Sequence, residues 1–211
     1  MSAKEASSVR MMLTLGVAGL ISGGVLVGIY LVTAPVIAQN RAEALERAIY
    51  EVVPGATSNR AFVMGGDGIT PFAGEGMPKE PAVYAGFDDS GAFVGFAVPA
   101  EGSGFQDVIK LIVGYVPAED RVIGMRVLES RETPGLGDKI IKDDKFVGQF
   151  DDLTASPEIT VTKKGATLPS EIDAISGATI SSKAVARIIN EGLGGWRDKL
   201  PPTVAAEQGS D

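Results

Sequence analysis

The sequence predicts an α+β protein, with a single N-terminal transmembrane helix followed by a domain of antiparallel hairpins and flanking helices. Three observations predict it. Residues 11–39 hold no charged side chain. Two pairs of β-patterned runs follow in succession, each pair split by a turn sequence. A final run, 182–196, has apolar residues at helical spacing.

The uncharged run comes first. Residues 11–32 alone reach the ~20 residues a bilayer core requires. Lys4 and Arg10 precede the run and Arg41 is the first charge after it, so the start is read as cytoplasmic and the bulk of the chain as periplasmic. A cleaved signal peptide is the alternative, with Val36 and Ala38 before Gln39 as a small-residue site. The apolar core exceeds the ~7–15 residues usual for one, which favours an anchor. Gly19 with Gly23, and Gly24 with Gly28, are spacings that let a neighbouring membrane helix approach.

Ala34-Pro35 predicts a break or kink. Residues 39–53 then read as an amphipathic helix with Ala42, Leu45, Ile49 and Val52 on one stripe, ended by Pro54-Gly55. Residues 56–80 are rich in Gly and Pro and read as loop. The first hairpin pairs 83–87 with 92–98 across Asp88-Asp89-Ser90-Gly91. The second pairs 108–116 with 122–128 across Pro117-Ala118-Glu119-Asp120. Residues 139–150 read as a short helix and 159–162 as a strand. The predicted organisation is a cytoplasmic N-terminus (1–10), a transmembrane helix (11–33), an amphipathic helix with a Gly/Pro-rich loop (34–80), the hairpin domain (81–200) and a flexible tail (201–211).

Composition limits the chemistry. The 211 residues include no Cys and no His. Disulfides, thiolate metal sites, Cys nucleophiles and His-based acid–base catalysis are thereby excluded. The net charge is −8; Lys4 and Arg10 against Glu5 leave the first 40 residues at +1, so the remainder carries −9. An acidic domain argues against nucleic acid as a partner.

Two stretches carry the functional reading. "DAISGATISS", 173–182, crowds hydroxyls and small residues ahead of a helix. Ser181 is a plausible N-cap, which places Thr179 at the approach to a helix terminus that favours anions. Gly177 and Ala178 leave room for a bulky group. "ESRETPGLGDKI", 129–140, has Pro134, Gly135 and Gly137 in a tight loop after a strand. Either alone could be an ordinary connection.

Together, Asp-x-x-Ser-Gly-Ala-Thr-x-Ser and the upstream Glu-Thr-Pro-Gly-Leu-Gly resemble the flavin-carrying FMN-binding domain family. Its members include the G-subunit of the Rnf ion-translocating ferredoxin:NAD oxidoreductase and the C-subunit of the Na+-translocating NADH:quinone reductase. The resemblance covers roughly residues 80–195, and "LIVGYVPAEDRVIGMRVLESRETPGLGDKI" is most similar to the Rnf protein. It implies that 81–200 is an FMN-binding domain, with FMN joined by a phosphoester to Thr179. It implies a separate flavin transferase, using FAD and magnesium, that reads Asp173, Ser176, Gly177 and Ala178. Thr133, Gly135, Leu136 and Gly137 are implied flavin contacts; Glu132 also matches, without an assigned role. The implied protein is an electron-transfer subunit of an inner-membrane oxidoreductase and translocase, with other membrane subunits as partners and no substrate turnover of its own. The quinone-reductase protein is one alternative, and a membrane-tethered binding or structural module without cofactor is another.

Weaker candidates remain. Lys139, Lys142 and Lys145 could offset phosphate charge. Phe105, Tyr115 and Trp196 could stack on a flavin ring, although core positions suit them better. Asp143-Asp144 and Asp151-Asp152 could be paired carboxylates, although acidic runs are usually solvated.

Overall fold

The computed structural model describes residues 8–65, 68–74 and 76–205. It falls into two units, 1–43 and 44–211. Residues 8–43 belong to helix α1 (Ser8–Val52), which is long and apolar enough to cross a membrane, with a mean hydropathy of 2.2 over its most apolar window. The break expected at Ala34-Pro35 is not made, because α1 continues through Pro35. A proline removes a single N–H and crowds the carbonyl four residues back, here that of Leu31. A helix of 45 residues keeps enough other bonds to persist. Lys4 and Glu5, on which the expected orientation partly rests, lie outside the described residues.

In the second unit, the last turns of α1 bury Leu45, Ala48, Ile49 and Val52, with Ala48 taking the place expected for Ala42. Gly55, at φ +93°, ends the segment. A seven-stranded antiparallel sheet follows, with strands β1 (Ser58–Met64), β2 (Ile69–Pro71), β3 (Ala82–Phe87), β4 (Phe93–Ser103), β5 (Val108–Val116), β6 (Arg121–Glu129) and β7 (Leu153–Thr154) in the order β2-β1-β3-β4-β5-β6-β7. Both predicted hairpins are present. Pro99 lies in β4 beyond its register with β3, where a missing N–H costs no ladder bond on that side. The edge strands β2 and β7 have three and two residues, too short to template further pairing.

The loop expected over 56–80 is corrected: it contains β1 and β2. Ser58-Asn59-Arg60 hides the strand pattern, but six of its residues pair with β3, and Phe62 reaches the core. The helix expected over 139–150 divides into α2 (Lys139–Lys142), α3 (Asp144–Val147) and a 3-10 turn (Gly148–Phe150). Asp143 interrupts it, taking an extended backbone to cap α3 through Lys145 N–H and Phe146 N–H. The strand near 160 is β8 (Thr160–Thr162), paired in parallel with β9 (Glu171–Asp173).

Two apolar clusters flank the sheet. One joins Leu45, Ala48, Ile49, Val52 and Val53 to Tyr84, Ala97 and Ile112. There Gly114 of β5 and Gly124 of β6 face each other in register. A Cβ on Gly114 would overlap the Val52 carbonyl, and one on Gly124 would lie 2.8 Å from it. These glycines make the hollow that receives the end of α1. The larger cluster packs α4 (Thr179–Trp196) on β4, where a Cβ on Gly192 would lie 2.6 Å from the Ala100 methyl. Val204 also packs on this cluster, so the tail expected to be free from 201 is held there; 206–211 lie outside the described residues.

Candidate functional site

The site is built around the start of α4. The helix begins at Thr179, not after Ser181. Its cap position is Ala178 (φ −130°, ψ 30°), and no side chain caps it. The first turn of any α-helix leaves N–H groups without intrahelical acceptors. Gly177 stands before it at φ +84°, a left-handed conformation that puts the chain into the helix. Thr179 is half-buried, while Ser176 and Gly177 are exposed.

Ser181 is corrected from cap to tether. It is 3% exposed and donates its hydroxyl to Glu132 Oε2 at 2.6 Å. Ser182, fully buried, donates to the Ala178 carbonyl and accepts from Ile175 N–H. Of the hydroxyls in 179–182, Thr179 is therefore the one not held inside the fold.

Glu132 is 5% exposed. Its Oε1 accepts from Phe105 N–H (2.8 Å) and Gln106 N–H (2.9 Å). Burial raises its pKa, but the bonds from Gln106 N–H, the Ser181 hydroxyl and Phe105 N–H outweigh that and hold the carboxyl below the ordinary glutamate value. The 133–137 loop follows directly. Thr133 donates to Gln106 Oε1 at 2.9 Å, Gly135 is left-handed at φ +78°, and Leu136 is half-exposed. Leu136 Cδ2 lies 3.6 Å from where a Gly177 Cβ would be, so the two sequence motifs meet. Gly137 is needed for space: a Cβ there would come within 2.7 Å of Glu132 Cβ and Oε2 and 3.1 Å of Ser181 Oγ.

Asp173 ends β9 with its side chain exposed. The Gln149 amide accepts from its N–H and donates to its carbonyl, fixing the backbone from the side. Lys139, Lys142 and Lys145 line a groove of about 620 Å³ with Asp143, Asp144, Ile175 and Ser176. Lys142 pairs with Asp138 at 2.7 Å. Tyr115 and Trp196 are core residues and cannot reach a surface ligand, whereas Phe105 is 63% exposed. The acidic pairs are not dyads: Asp143 caps α3, and Asp152 pairs with Arg121. Gln149 carried no mark in the sequence, and Ser181 was given the wrong role there. The final serine of the 173–181 motif was the available signal for it.

Residues 104–194 match the model of the FMN-binding domain, and residues 1–52 match that of the RnfG N-terminal region. The G-subunit of the ion-translocating oxidoreductase complex of Methanosarcina acetivorans is 36% identical over 149 residues, covering 69% of this chain and 71% of that protein. The G-subunit of the proton-translocating ferredoxin:NAD(+) oxidoreductase complex of Clostridium ljungdahlii is 31% identical over 173 residues, covering 82% and 83%. The crystal structure of the C-subunit of the Na(+)-translocating NADH-quinone reductase from Parabacteroides distasonis shares the fold, with a TM-score of 0.60 at 21% identity over 77% of this chain and 96% of that one. Identity sustained across the anchor and the domain alike places the chain in the G-subunit family of ion-translocating oxidoreductase complexes.

Proposed function

We propose that this chain is a membrane-anchored electron carrier holding FMN through a phosphoester on Thr179, and that it serves an Rnf-type complex moving electrons between ferredoxin and NAD. The observation that carries this is the uncapped start of α4 with a threonine in its first position. The match to an FMN-binding domain over 104–194 supports the cofactor. The covalent link and its position rest on the geometry and on the 173–181 motif.

The residues present fit the group. The N–H groups of the first turn and the helix dipole favour a phosphate there. Gly177 and Ala178 keep bulk away from the Thr179 hydroxyl. Lys139 and Lys145 line the adjoining groove and oppose phosphate charge. Leu136, and Phe105 across the loop, offer exposed apolar surface for a planar ring. Asp173, Ser176, Gly177 and Ala178 present the recognition motif to a flavin transferase. When bound, FMN supplies the redox chemistry, and the protein supplies position and electrostatics. A covalent link suits a domain on the periplasmic side of the inner membrane, where cytosolic flavin cannot replace a lost one. The match of 1–52 to the RnfG N-terminal region favours an Rnf-type assembly, with other membrane subunits as partners, over the quinone-reductase alternative.

Co-expression with a flavin transferase, followed by denaturing-gel fluorescence and peptide mass spectrometry, tests the assignment. Wild type should carry one FMN on Thr179. Thr179→Ala should carry none yet still fold, since one hydroxyl contributes at most ~1 kcal/mol. Asp173→Ala should lower the yield with the acceptor intact. Full fluorescence in Thr179→Ala would refute the site.

A further inference from the structure

Glu132 is a buried carboxylate beside a site read as binding an anion. Its charge opposes a phosphate two residues from Ser181, so attraction for the cofactor cannot be its task. What it does is gather donors. Phe105 N–H and Gln106 N–H of the β4–β5 turn bind Oε1, and the Ser181 hydroxyl of α4 binds Oε2. The side chain fills a cradle that lacks side chains on two sides. A Cβ on Gly104 would overlap Oε1, and one on Gly137 would press on Oε2. Thr133, the next residue, binds the Gln106 side chain and doubles the link to the same turn.

We propose that Glu132 is a positioning residue for the attachment site, clamping the 104–107 turn and the 133–137 loop against the first turn of α4 so that Thr179 is presented in one orientation. This rests on the reading of Thr179 as acceptor. The clamp joins segments 26 to 49 positions apart through one carboxylate. It also gives the two motifs a physical reason to occur together: the glutamate of Glu-Thr-Pro-Gly-Leu-Gly holds the last serine of Asp-x-x-Ser-Gly-Ala-Thr-x-Ser. Ionised, Glu132 can accept at both oxygens, and no neutral aliphatic side chain can replace it.

The test uses the full chain in detergent, with purified flavin transferase, FAD and magnesium, and reads the initial rate of FMN attachment, the thermal midpoint and hydrogen exchange at 104–107. Glu132→Ala should slow attachment by roughly 10- to 100-fold, because displacement of a reacting group by about 1 Å is enough to do so. It should also speed exchange at Phe105 and Gln106. Glu132→Gln keeps an oxygen for both backbone donors and an N–H for Ser181, and should restore attachment to within about threefold of wild type. Ser181→Ala cuts only the α4 end and should slow attachment about tenfold; it carries the test if Glu132→Ala fails to fold. A residue with a purely structural role would lower the midpoint but leave the rate of the folded molecules unchanged. Folded Glu132→Ala or Ser181→Ala chains modified at the wild-type rate would therefore overturn the clamp. Absence of FMN from wild type, or its presence in a Thr179→Ala control, would overturn the acceptor assignment instead.

Discussion

Replacing Gly177 with Ala isolates the backbone's part in presenting Thr179. The added methyl has space, since its nearest neighbour is Leu136 Cδ2 at 3.6 Å, an ordinary contact. The penalty is conformational. Gly177 sits at φ +84°, where an L-residue costs about 1–2 kcal/mol. The smaller entropy of the unfolded Ala chain is already outweighed at a positive φ. A domain of this size loses about 2–4 °C of midpoint per kcal/mol, so Gly177→Ala should melt roughly 2–8 °C below wild type. Asn tolerates the left-handed region better, and Gly177→Asn should recover about half of the loss. Thermal unfolding in detergent, followed by near-UV circular dichroism before FMN is attached, measures both. If the three proteins melt within about 1 °C of each other, or if Asn is worse than Ala, the left-handed turn is not what positions the helix start.

Gly137→Val should destabilise the domain by about 1–3 kcal/mol in urea unfolding, because its Cβ intrudes on Glu132 and Ser181. It should also shift the visible spectrum of the attached flavin; an unchanged spectrum and stability would show that the loop yields. Glu132 has a folded pKa below its ordinary 4.5, so its stabilising contribution is present above about pH 4.5 and is lost as pH falls through the folded value. The stability gap between wild type and Glu132→Gln should therefore shrink in acid, a difference that removes the shared contributions of Asp88, Asp120, Asp138 and Glu171. Protease added to intact spheroplasts should degrade the domain, and complete protection would reverse the proposed topology.

The hairpins were legible because 83–98 and 108–128 are short apolar runs rich in β-branched and aromatic residues, each pair split by a turn sequence. β1 was not, because Ser58-Asn59-Arg60 is polar and only pairing with β3 makes it a strand. Pro35 misled for a related reason: local chemistry argues for a break, and the length of α1 overrides it. The chemistry-bearing segments 129–140 and 173–182 could be marked from sequence, and the structure brings Leu136 beside Gly177. The roles of Ser181 and Glu132 could not be read, because their bond spans 49 positions and nothing local announces it. Gln149 was silent for the same reason, its link to Asp173 spanning 24.

The hollow made by Gly114 and Gly124 decides where the anchor can be cut away. A fragment starting at residue 44 keeps Leu45, Ala48, Ile49 and Val52, and with them the second apolar cluster. One starting at residue 56, after the end of α1, would uncork that hollow. Tyr84, Ala97 and Ile112 would then face water as a contiguous greasy patch, the kind of surface that drives self-association. The helix that tethers the protein is, in its last turns, also the stopper of the domain it carries.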